Sequence, residues 1–282
     1  MLTNRRILSA TVIAAAMALT ACGGDTSDTG ARTSYERADD RAMGSESAPI
    51  TLIEYASVAC THCADFHENV YPSIHEEFIE TGQVRFVFRE MITGSAPLAV
   101  AGFMLARCAP EDRYFDMIDL LFQQQQAIFT SAQRPGAALE EYRSIARSVG
   151  ISDTRFTECI NSEDLRQDVL DAHQQAIDDG IESTPQFLIN GELLDTRRGD
   201  GVVIYTLGGE PVMIDGETVP ALQNEETFRR LLNHVVAEAG GTPSPEMPTD
   251  GTMDSDMPEA PSNDPMEPES TPVETSDSGD EG

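Results

Sequence analysis

Two cysteines lie three positions apart in the stretch VACTHCADFHENV, residues 58–70, with a threonine and a histidine between them. Cysteines at this spacing can form a redox-active dithiol, half of a zinc site or part of a haem-attachment motif. Haem attachment needs a histidine directly after the second cysteine, and this chain has Ala64 there. The stretch therefore predicts either a dithiol made by Cys60 and Cys63 or a zinc site built around them.

A zinc site needs further ligands, since structural zinc is held by four side chains. His67 and His75 are the nearest candidates, and His67 follows Cys63 by four residues, so a cluster of three ligands is geometrically possible. Against zinc, the chain has no second CxxC or HxxxH pair. We therefore favour the dithiol, keep zinc as the alternative, and otherwise expect both histidines on a helix surface.

The residues on either side predict a strand followed by a helix. Before the cysteines, Ile50 and Leu52 lie at the spacing of a strand buried on both faces. After them, apolar residues recur at helical spacing until Gly82, and Pro72 should kink or break that helix. A second strand, VRFVFRE, follows at 84–90. The cysteines are thus expected where a strand passes into a helix N-terminus, inside a parallel βαβ unit.

A helix N-terminus changes the chemistry of a thiol, because its free N–H groups and partial positive charge stabilise a thiolate. His62 would add to this stabilisation if it were protonated or donated a hydrogen bond. Each pKa unit below the ordinary value of about 8.5 stabilises the thiolate by about 1.4 kcal/mol, which makes the disulfide a stronger oxidant. We predict that Cys60, first on the helix, attacks and that Cys63, one turn further, resolves.

The first residues predict an export signal. Arg5 and Arg6 precede an apolar stretch, ILSATVIAAAMAL, that is too short to span a bilayer. The following LTAC resembles the lipobox of bacterial lipoproteins, which implies a diacylglycerol on Cys22 and attachment to a membrane from the periplasmic side. Ordinary signal cleavage nearby is the alternative. Gly23, where an inner-membrane protein often has aspartate, favours the outer membrane.

Composition divides the chain further. After the signal at 1–21, residues 22–45 begin with the polar GGDTSDTG and are predicted to be a flexible tether. Residues 46–240 are predicted to form one domain of ordinary size. Residues 241–282, with 12 acidic residues and no arginine or aromatic, are predicted to be a disordered tail. The net charge of -31 excludes nucleic acid and anionic lipid as partners of the folded part.

The remaining two cysteines, Cys108 and Cys159, are predicted to form a structural disulfide. An exported protein is in an oxidising compartment, and without the lipidated Cys22 the chain has four cysteines, which suggests two disulfides. The second bond would close a loop of about 50 residues and contribute roughly 4 kcal/mol on the chain-entropy model. Two separate buried thiols are the alternative.

A second motif lies more than a hundred residues downstream, in GIESTPQFLINGELL. Thr184 and Pro185 precede a short strand, QFLI, and an NG turn of the hairpin type. Together with CTHC, this order resembles the thioredoxin-fold thiol:disulfide oxidoreductases, and most closely the DsbA-like group. The segment MGSESAPITLIEYASVACTHCADFH is similar to that group's N-terminal signature, including Glu54 six residues before Cys60. The resemblance covers about residues 43–194.

The resemblance implies an α/β thioredoxin fold with an inserted helical subdomain, here at about residues 95–179. It also implies that Pro185 is cis and lies opposite the cysteines, with the backbone of Thr184 free to pair with a substrate strand beside the first cysteine. Glu54, if buried beneath the cysteines, would relay the proton of the second one. An exposed residue at a strand edge is the alternative for Glu54.

Three features depart from the usual pattern of that group. The residues between the cysteines are Thr-His, where strong oxidants often have Pro-His, and Thr184 also occurs in isomerase-type relatives. These two features leave the direction of exchange open. The segment 195–223 is longer than the usual hairpin, has no assigned role, and predicts an extra hairpin at MIDGETV before a closing helix capped by Asn224. His173 and the glutamine run 123–126 are expected on helix surfaces.

The sequence therefore predicts a periplasmic, lipid-anchored thiol:disulfide oxidoreductase that donates the Cys60–Cys63 disulfide to exported proteins with free thiols. A membrane redox partner would restore the oxidation state of the dithiol, and no cofactor, metal or nucleic acid is expected. One alternative is an isomerase or reductase; such isomerases are usually dimers with a separate dimerisation domain, and since the sequence shows none we expect a monomer. The other alternative is a thioredoxin-fold metallochaperone or binding module whose cysteines hold copper or zinc.

Overall fold

The computed structural model describes residues 35–199 and 201–243. The predicted signal at 1–21, the predicted lipidation site Cys22, most of the predicted tether and nearly all of the acidic tail lie outside these residues. Within the described ranges, no helix is both long enough and apolar enough to cross a bilayer.

The described residues contain nine β-strands, which span Arg41–Met43 (β1), Ile50–Ala56 (β2), Val84–Glu90 (β3), Gln186–Ile189 (β4), Glu192–Gly199 (β5), Val202–Leu207 (β6), Glu210–Pro211 (β7), Met213–Ile214 (β8) and Glu217–Thr218 (β9). Seven of them form one sheet in the order β1-β3-β2-β4-β5-β6-β7, and β8 pairs with β9. Within the sheet β2 and β3 are parallel, and all other neighbours are antiparallel.

The same ranges contain nine α-helices, which span Thr61–Asn69 (α1), Tyr71–Ile74 (α2), Ala96–Cys108 (α3), Tyr114–Gln123 (α4), Gln125–Ser131 (α5), Ala137–Ser148 (α6), Asp153–Ile160 (α7), Glu163–Asp178 (α8) and Glu225–Glu238 (α9). A π-helical turn, His75–Ile79, follows α2, and a 3-10 turn, Glu111–Arg113, precedes α4.

The β2–α1–β3 unit confirms the parallel strand–helix–strand arrangement predicted around the cysteines. All seven residues of β2 are buried. Leu52 packs into the main core, whereas Ile53 and Tyr55 pack into a smaller cluster on the other face of the sheet. The predicted break at Pro72 is also confirmed: α1 ends at Asn69 and a separate short helix carries the proline, which has no N–H for the helical ladder.

A helical subdomain, α3 to α8, lies between β3 and β4, in the place predicted for the insertion. A disulfide joins Cys108, the last residue of α3, to Cys159 in α7, with 6.1 Å between the Cα atoms. The subdomain is not separate from the sheet, because Ala176 of α8 belongs to the smaller core cluster beneath β2 and β3. The helices and the sheet therefore share a buried interior.

The tether predicted to extend to residue 45 ends earlier. Strand β1 pairs with β3, and two carboxylates before it bind arginines of β3: Glu36 lies 3.0 Å from Arg85 and Asp40 lies 2.8 Å from Arg89. Arg89 is buried, and a buried charge needs a partner. The predicted boundary is wrong because this polar segment is ordered by arginines that lie about 50 residues away in the sequence.

The segment 195–223 adds strands β6 and β7 to one edge of the sheet, and the chain then comes back to that edge. The predicted hairpin at MIDGETV is present as β8 and β9, and its turn residues Asp215 and Gly216 both have positive φ, as this kind of hairpin turn requires. The closing helix α9 follows Asn224, whose Oδ1 accepts a hydrogen bond from the backbone N–H of Thr227 at 2.9 Å. The predictions of the extra hairpin and of the helix cap are confirmed.

Candidate active site

The first cysteine of the CxxC motif caps a helix. Strand β2 ends at Ala56, and a short turn leads to Cys60, the N-cap of α1, whose backbone is extended. The Sγ of Cys60 accepts a hydrogen bond from the backbone N–H of Cys63 at 3.3 Å. An N-cap side chain normally pairs a free N–H of the first turn. Here that side chain is a sulfur, which lies at the positive end of the helix dipole.

The two cysteines differ in exposure, and both are free thiols in this structure. Cys60 is half-buried, whereas Cys63 is completely buried and belongs to the main core. Another protein can approach only the exposed sulfur. Cys60 can therefore form a mixed disulfide, and Cys63 can only react with Cys60.

The second motif lies against the first, although 124 residues separate them. The Thr184–Pro185 peptide bond is cis, and the Sγ of Cys60 lies 3.4 Å from the backbone carbonyl oxygen of Thr184, to which it donates a hydrogen bond when it is protonated. The hydroxyl groups of Thr184 and Thr93 are 2.6 Å apart. The structure thus brings together the cysteines and the Thr-Pro pair that the sequence singled out.

Local interactions drive the pKa values of the two thiols in opposite directions. The hydrogen bond from the Cys63 thiol, supported by Thr184 and by the backbone N–H groups of Cys63 and His62, lowers the pKa of Cys60 to about 6, although burial opposes this. Burial, followed by the interactions with Cys60 and with the charge of Glu54, raises the pKa of Cys63 far above its ordinary value. At neutral pH the site therefore holds a thiolate at Cys60 and a thiol at Cys63.

A groove of about 750 Å³ opens beside Cys60, and its lining includes Thr184, Thr93 and the apolar side chains of Leu98 and Phe129. Gly94, on the loop after β3, comes so close to the turn before Cys60 that a Cβ would lie 2.1 Å from the carbonyl oxygen of Ala59. The helical subdomain supplies the apolar side of this groove and the Thr-Pro loop the other. A polypeptide with an exposed backbone and apolar side chains would fit there.

A buried ion pair lies beneath the cysteines. Glu54 on β2 is completely buried, which excludes the exposed strand edge considered for it. Its Oε2 lies 2.9 Å from the Nε2 of His67, and its Oε1 has no hydrogen-bond partner among the residues that the structure describes. Although burial opposes a charge on His67, the carboxylate of Glu54 raises the pKa of this histidine to about 9. His67 is therefore an imidazolium at neutral pH, paired with Glu54.

His67 is not on a helix surface, and that prediction is wrong. The side chain is almost completely buried and stacks on Phe122 of α4, with ring centroids 4.2 Å apart. Its Nδ1 lies 3.8 Å from the carboxylate of Asp119, which is partly exposed. The helical subdomain covers this face of α1, and nothing in the local sequence of α1 indicates that cover. Glu54, His67 and Asp119 form a row of charges from the core to the surface.

Two glutamines missed by sequence analysis hold the backbone of the CxxC loop. Gln125 is buried, contrary to the predicted surface position of the glutamine run, and its Nε2 donates to the carbonyls of Val58 at 2.9 Å and Cys60 at 3.1 Å. Gln223 donates from its Nε2 to the carbonyl of His62 at 2.9 Å. Glutamines in polar runs carry no signal for such contacts, because their partners are distant in the sequence.

Two other histidines, His62 and His173, also make contacts that could not be predicted from the sequence around them. The side chain of His62 is exposed, and the contribution to Cys60 comes from its backbone N–H. His173, expected on a helix surface, accepts a hydrogen bond through Nδ1 from the backbone N–H of Ile92 at 3.2 Å. Within residues 35–199 and 201–243, no group of three or more His, Cys, Asp or Glu side chains is arranged to hold a metal ion.

Residues 36–201 match the family model described as Thioredoxin. A Rickettsia typhi protein with the provisional name protein-disulfide oxidoreductase is 27% identical over 154 residues, which are 54% of this chain and 55% of that protein. Disulfide bond formation protein D of Bacillus subtilis is 25% identical over 158 residues, 54% of this chain and 68% of that protein. The matched region thus spans about half the length of the Rickettsia relative.

Two solved structures have a similar fold. Alpha-DsbA1 of Wolbachia pipientis has a TM-score of 0.55 and 24% identity, over 72% of this chain and 94% of that one. Oxidised BdbD of Bacillus subtilis has a TM-score of 0.52 and 15% identity, over 70% and 93%. At these identities the similarity concerns the fold.

Proposed function

We propose that this chain, which belongs to the thioredoxin family, is a thiol:disulfide oxidoreductase that transfers the Cys60–Cys63 disulfide to substrate proteins. The α/β thioredoxin fold with a DsbA-like helical insertion, predicted from the sequence, is confirmed. One observation carries the proposal: a half-exposed sulfur caps a helix and contacts the Thr184 carbonyl at 3.4 Å, directly above a buried second thiol.

In the oxidising direction, a substrate thiolate attacks Cys60 of the Cys60–Cys63 disulfide. The bond between the two sulfurs breaks, a mixed disulfide forms at Cys60, and Cys63 leaves as a thiolate and takes up a proton. A second substrate thiolate then attacks the substrate sulfur of the mixed disulfide. Cys60 leaves as a thiolate. The substrate has lost two electrons in forming its disulfide, and Cys60 and Cys63 have gained them as a reduced dithiol.

The return to the disulfide needs a base for Cys63, because its raised pKa makes it a poor nucleophile. We assign this role to Glu54, the buried carboxylate whose charge acts on Cys63. His67, which carries a proton at neutral pH, pairs with Glu54 through the contact at 2.9 Å. The Cys60 thiolate first attacks a disulfide of the partner, which forms a mixed disulfide and releases one partner thiolate. Once the proton of Cys63 has moved to the carboxylate, Cys63 attacks Cys60, breaks the mixed disulfide and releases the second partner thiolate, so that the partner is reduced by two electrons.

The stabilised thiolate of Cys60 supports the oxidising direction over reduction or isomerisation. Whatever stabilises the reduced form makes the disulfide easier to reduce and hence a stronger oxidant. The Thr184 backbone and the apolar groove beside Cys60 support a peptide as the substrate, because an extended chain can pair with such a backbone and place side chains in the groove.

The proposed location and partners rest on the sequence outside the described residues. We place the mature protein in the periplasm, held to a membrane by lipid on Cys22, with exported proteins as substrates and a membrane protein that reoxidises the dithiol. The export signal and the LTAC motif support this location. A Cys22→Ser variant that stays in the membrane fraction would contradict the anchor.

Catalysis of disulfide formation tests the function. The oxidised chain, in catalytic amounts with a glutathione buffer, should accelerate the folding of a reduced protein whose activity requires its disulfides. Cys60→Ser should remove the acceleration. If one metal ion per chain copurifies with the reduced protein and is lost in Cys60→Ser, and folding is not accelerated, the chain is a metal-binding module instead.

A further inference from the structure

The carbonyl of His62 is held by a residue from the extra segment 195–223. The Nε2 of Gln223 donates to this carbonyl at 2.9 Å across a sequence separation of 161 residues. Gln223 is half-buried. The bond lies at the dipeptide between the two cysteines, where a change in backbone orientation acts directly on the reactive sulfur.

The His62 carbonyl belongs to the same peptide unit as the N–H that reaches Cys60. That peptide joins His62 to Cys63, and its N–H donates to the Sγ of Cys60 at 3.3 Å. In a planar trans peptide the C=O and N–H point in opposite directions. A donor on the oxygen therefore fixes the plane, and it also polarises the N–H, because hydrogen bonds in a chain strengthen one another.

The rest of the segment holds Gln223 in position from both sides. Before it, the backbone N–H of Ala221 donates to the carbonyl of Val203 at 2.9 Å, and the carbonyl of Leu222 accepts from the Tyr205 hydroxyl at 3.4 Å. Val203 and Tyr205 both lie on β6. After it, Asn224 caps α9. The extra strands thus anchor a short connection that passes directly over the CxxC loop.

We propose that Gln223 is a positioning residue for the redox reaction, which orients and polarises the His62–Cys63 peptide and so strengthens its hydrogen bond to the Cys60 thiolate. This role rests on the proposed function and gives the segment 195–223 a purpose, since it sets how oxidising the disulfide is. The buried Gln125 also holds a carbonyl of this region, that of Cys60, but its loss would remove a buried donor from two carbonyls and would affect folding as well.

Two substitutions test the role in the full-length chain. Gln223→Ala removes the donor, and Gln223→Glu keeps the shape of the side chain but presents carboxylate oxygens to the carbonyl at neutral pH. Each should shift the equilibrium with glutathione about threefold toward the disulfide, or about 14 mV at 29.6 mV per tenfold, and raise the pKa of Cys60 by about half a unit. The thermal midpoint of the oxidised protein should not change.

Two controls separate this role from a general disturbance. Leu222→Ala changes the exposed neighbouring side chain, and Gln174→Ala removes an exposed glutamine whose contact is with Asp178 on α8. Both should leave the equilibrium unchanged. Unchanged equilibria in both Gln223 variants, or equal shifts in the controls, would overturn the role of Gln223 alone. A wild-type dithiol that does not exchange with glutathione would overturn the proposed function itself, and this role with it.

Discussion

The two pairs of cysteines lie at opposite ends of helices. Cys60 caps the N-terminus of α1 and is half-buried. Cys108 and Cys159 lie in the last turns of α3 and α7 and are both buried. The N-terminus of a helix stabilises a negative charge, whereas the C-terminus disfavours one. A cysteine thiolate is therefore stabilised at the N-terminus of α1 and is not stabilised in the last turns of α3 and α7.

The difference shows that position decides which disulfide can exchange. A substrate can reach Cys60 from the groove beside Thr184, and Cys63 lies one helical turn further along α1. The Cys108–Cys159 bond connects two helices across 51 residues and is closed to solvent on both sides. The first pair is suited to open and close during a reaction, and the second to hold the helical subdomain together.

Removing one sulfur at a time from the redox pair should give the largest effects. Cys60→Ser should lower the rate of exchange by more than about a hundredfold, because the attacking thiolate is lost. Cys63→Ser should instead accumulate a covalent adduct with the substrate, because the resolving sulfur is missing. Non-reducing electrophoresis of each variant mixed with a disulfide-containing protein distinguishes the two, because the Cys60 thiolate attacks that disulfide, forms the mixed disulfide and releases the other substrate sulfur as a thiolate. An adduct formed by Cys60→Ser would mean that the roles are reversed.

Removing the other pair should affect stability and leave the reaction intact. The double variant Cys108→Ala, Cys159→Ala should lose about 4 kcal/mol of unfolding free energy, as expected for a loop closed across 51 residues. Its exchange rate per folded molecule should equal that of the wild type. Urea unfolding measures the unfolding free energy, and a glutathione exchange assay measures the exchange rate. If the folded variant no longer exchanged with glutathione, the Cys108–Cys159 pair would be needed for the reaction and would not be purely structural.

The ion pair beneath the redox pair should make stability depend on pH. The folded-state pKa of His67, about 9, lies above the ordinary value of 6.5, so its contribution is complete below about pH 6.5 and is lost as the pH rises through 9. Between these values the oxidised wild type should lose on the order of 3 kcal/mol. Urea midpoints at three pH values measure this loss.

Two variants make the pH experiment specific. Glu54→Gln should flatten the profile, because the carboxylate that holds the proton on His67 is gone. His75→Asn, at a partly exposed histidine on the following helical turn, should keep it. A flat profile in the wild type would contradict the charged pair.

The hydroxyl of Thr184 should have the smallest effect. Thr184→Val removes the contact of 2.6 Å with Thr93 and the hydroxyl's support for the Cys60 thiolate, but keeps the backbone carbonyl. The pKa of Cys60 should rise by less than about one unit, as expected for one of several hydrogen bonds. The pH dependence of alkylation by iodoacetamide measures it, with Thr93→Val as the control that leaves residue 184 untouched. No rise in either variant would show that the Thr184 hydroxyl does not lower this pKa.

Features that depend on local pattern could be predicted from the sequence. The strand before Cys60, the helix after it and the break at Pro72 follow from spacing and from proline chemistry within about 30 residues. The Thr-Pro motif could be joined to the cysteines only through its resemblance to a family. Nothing in the local pattern of either motif predicts the contact of 3.4 Å between Cys60 and Thr184.

Features that depend on distant partners could not be predicted. His67 is buried because α4 covers it, Gln125 because α5 packs beneath the CxxC turn, and residues 36–45 are ordered because β3 carries arginines. In each case the residue type favours solvent, and a partner far along the chain reverses this preference. The contact of Gln223 with His62 belongs to the same class.

The central claim, that the position of Cys60 makes it a thiolate, is tested most directly by titrating thiolate absorbance in the reduced chain. We expect one step near pH 6 that is absent from Cys60→Ser, and no step from the buried Cys63 up to pH 9. If the first step appears only above pH 8, close to the pKa of about 8.5 of an ordinary cysteine, the position of Cys60 does not stabilise its thiolate and the central claim is wrong.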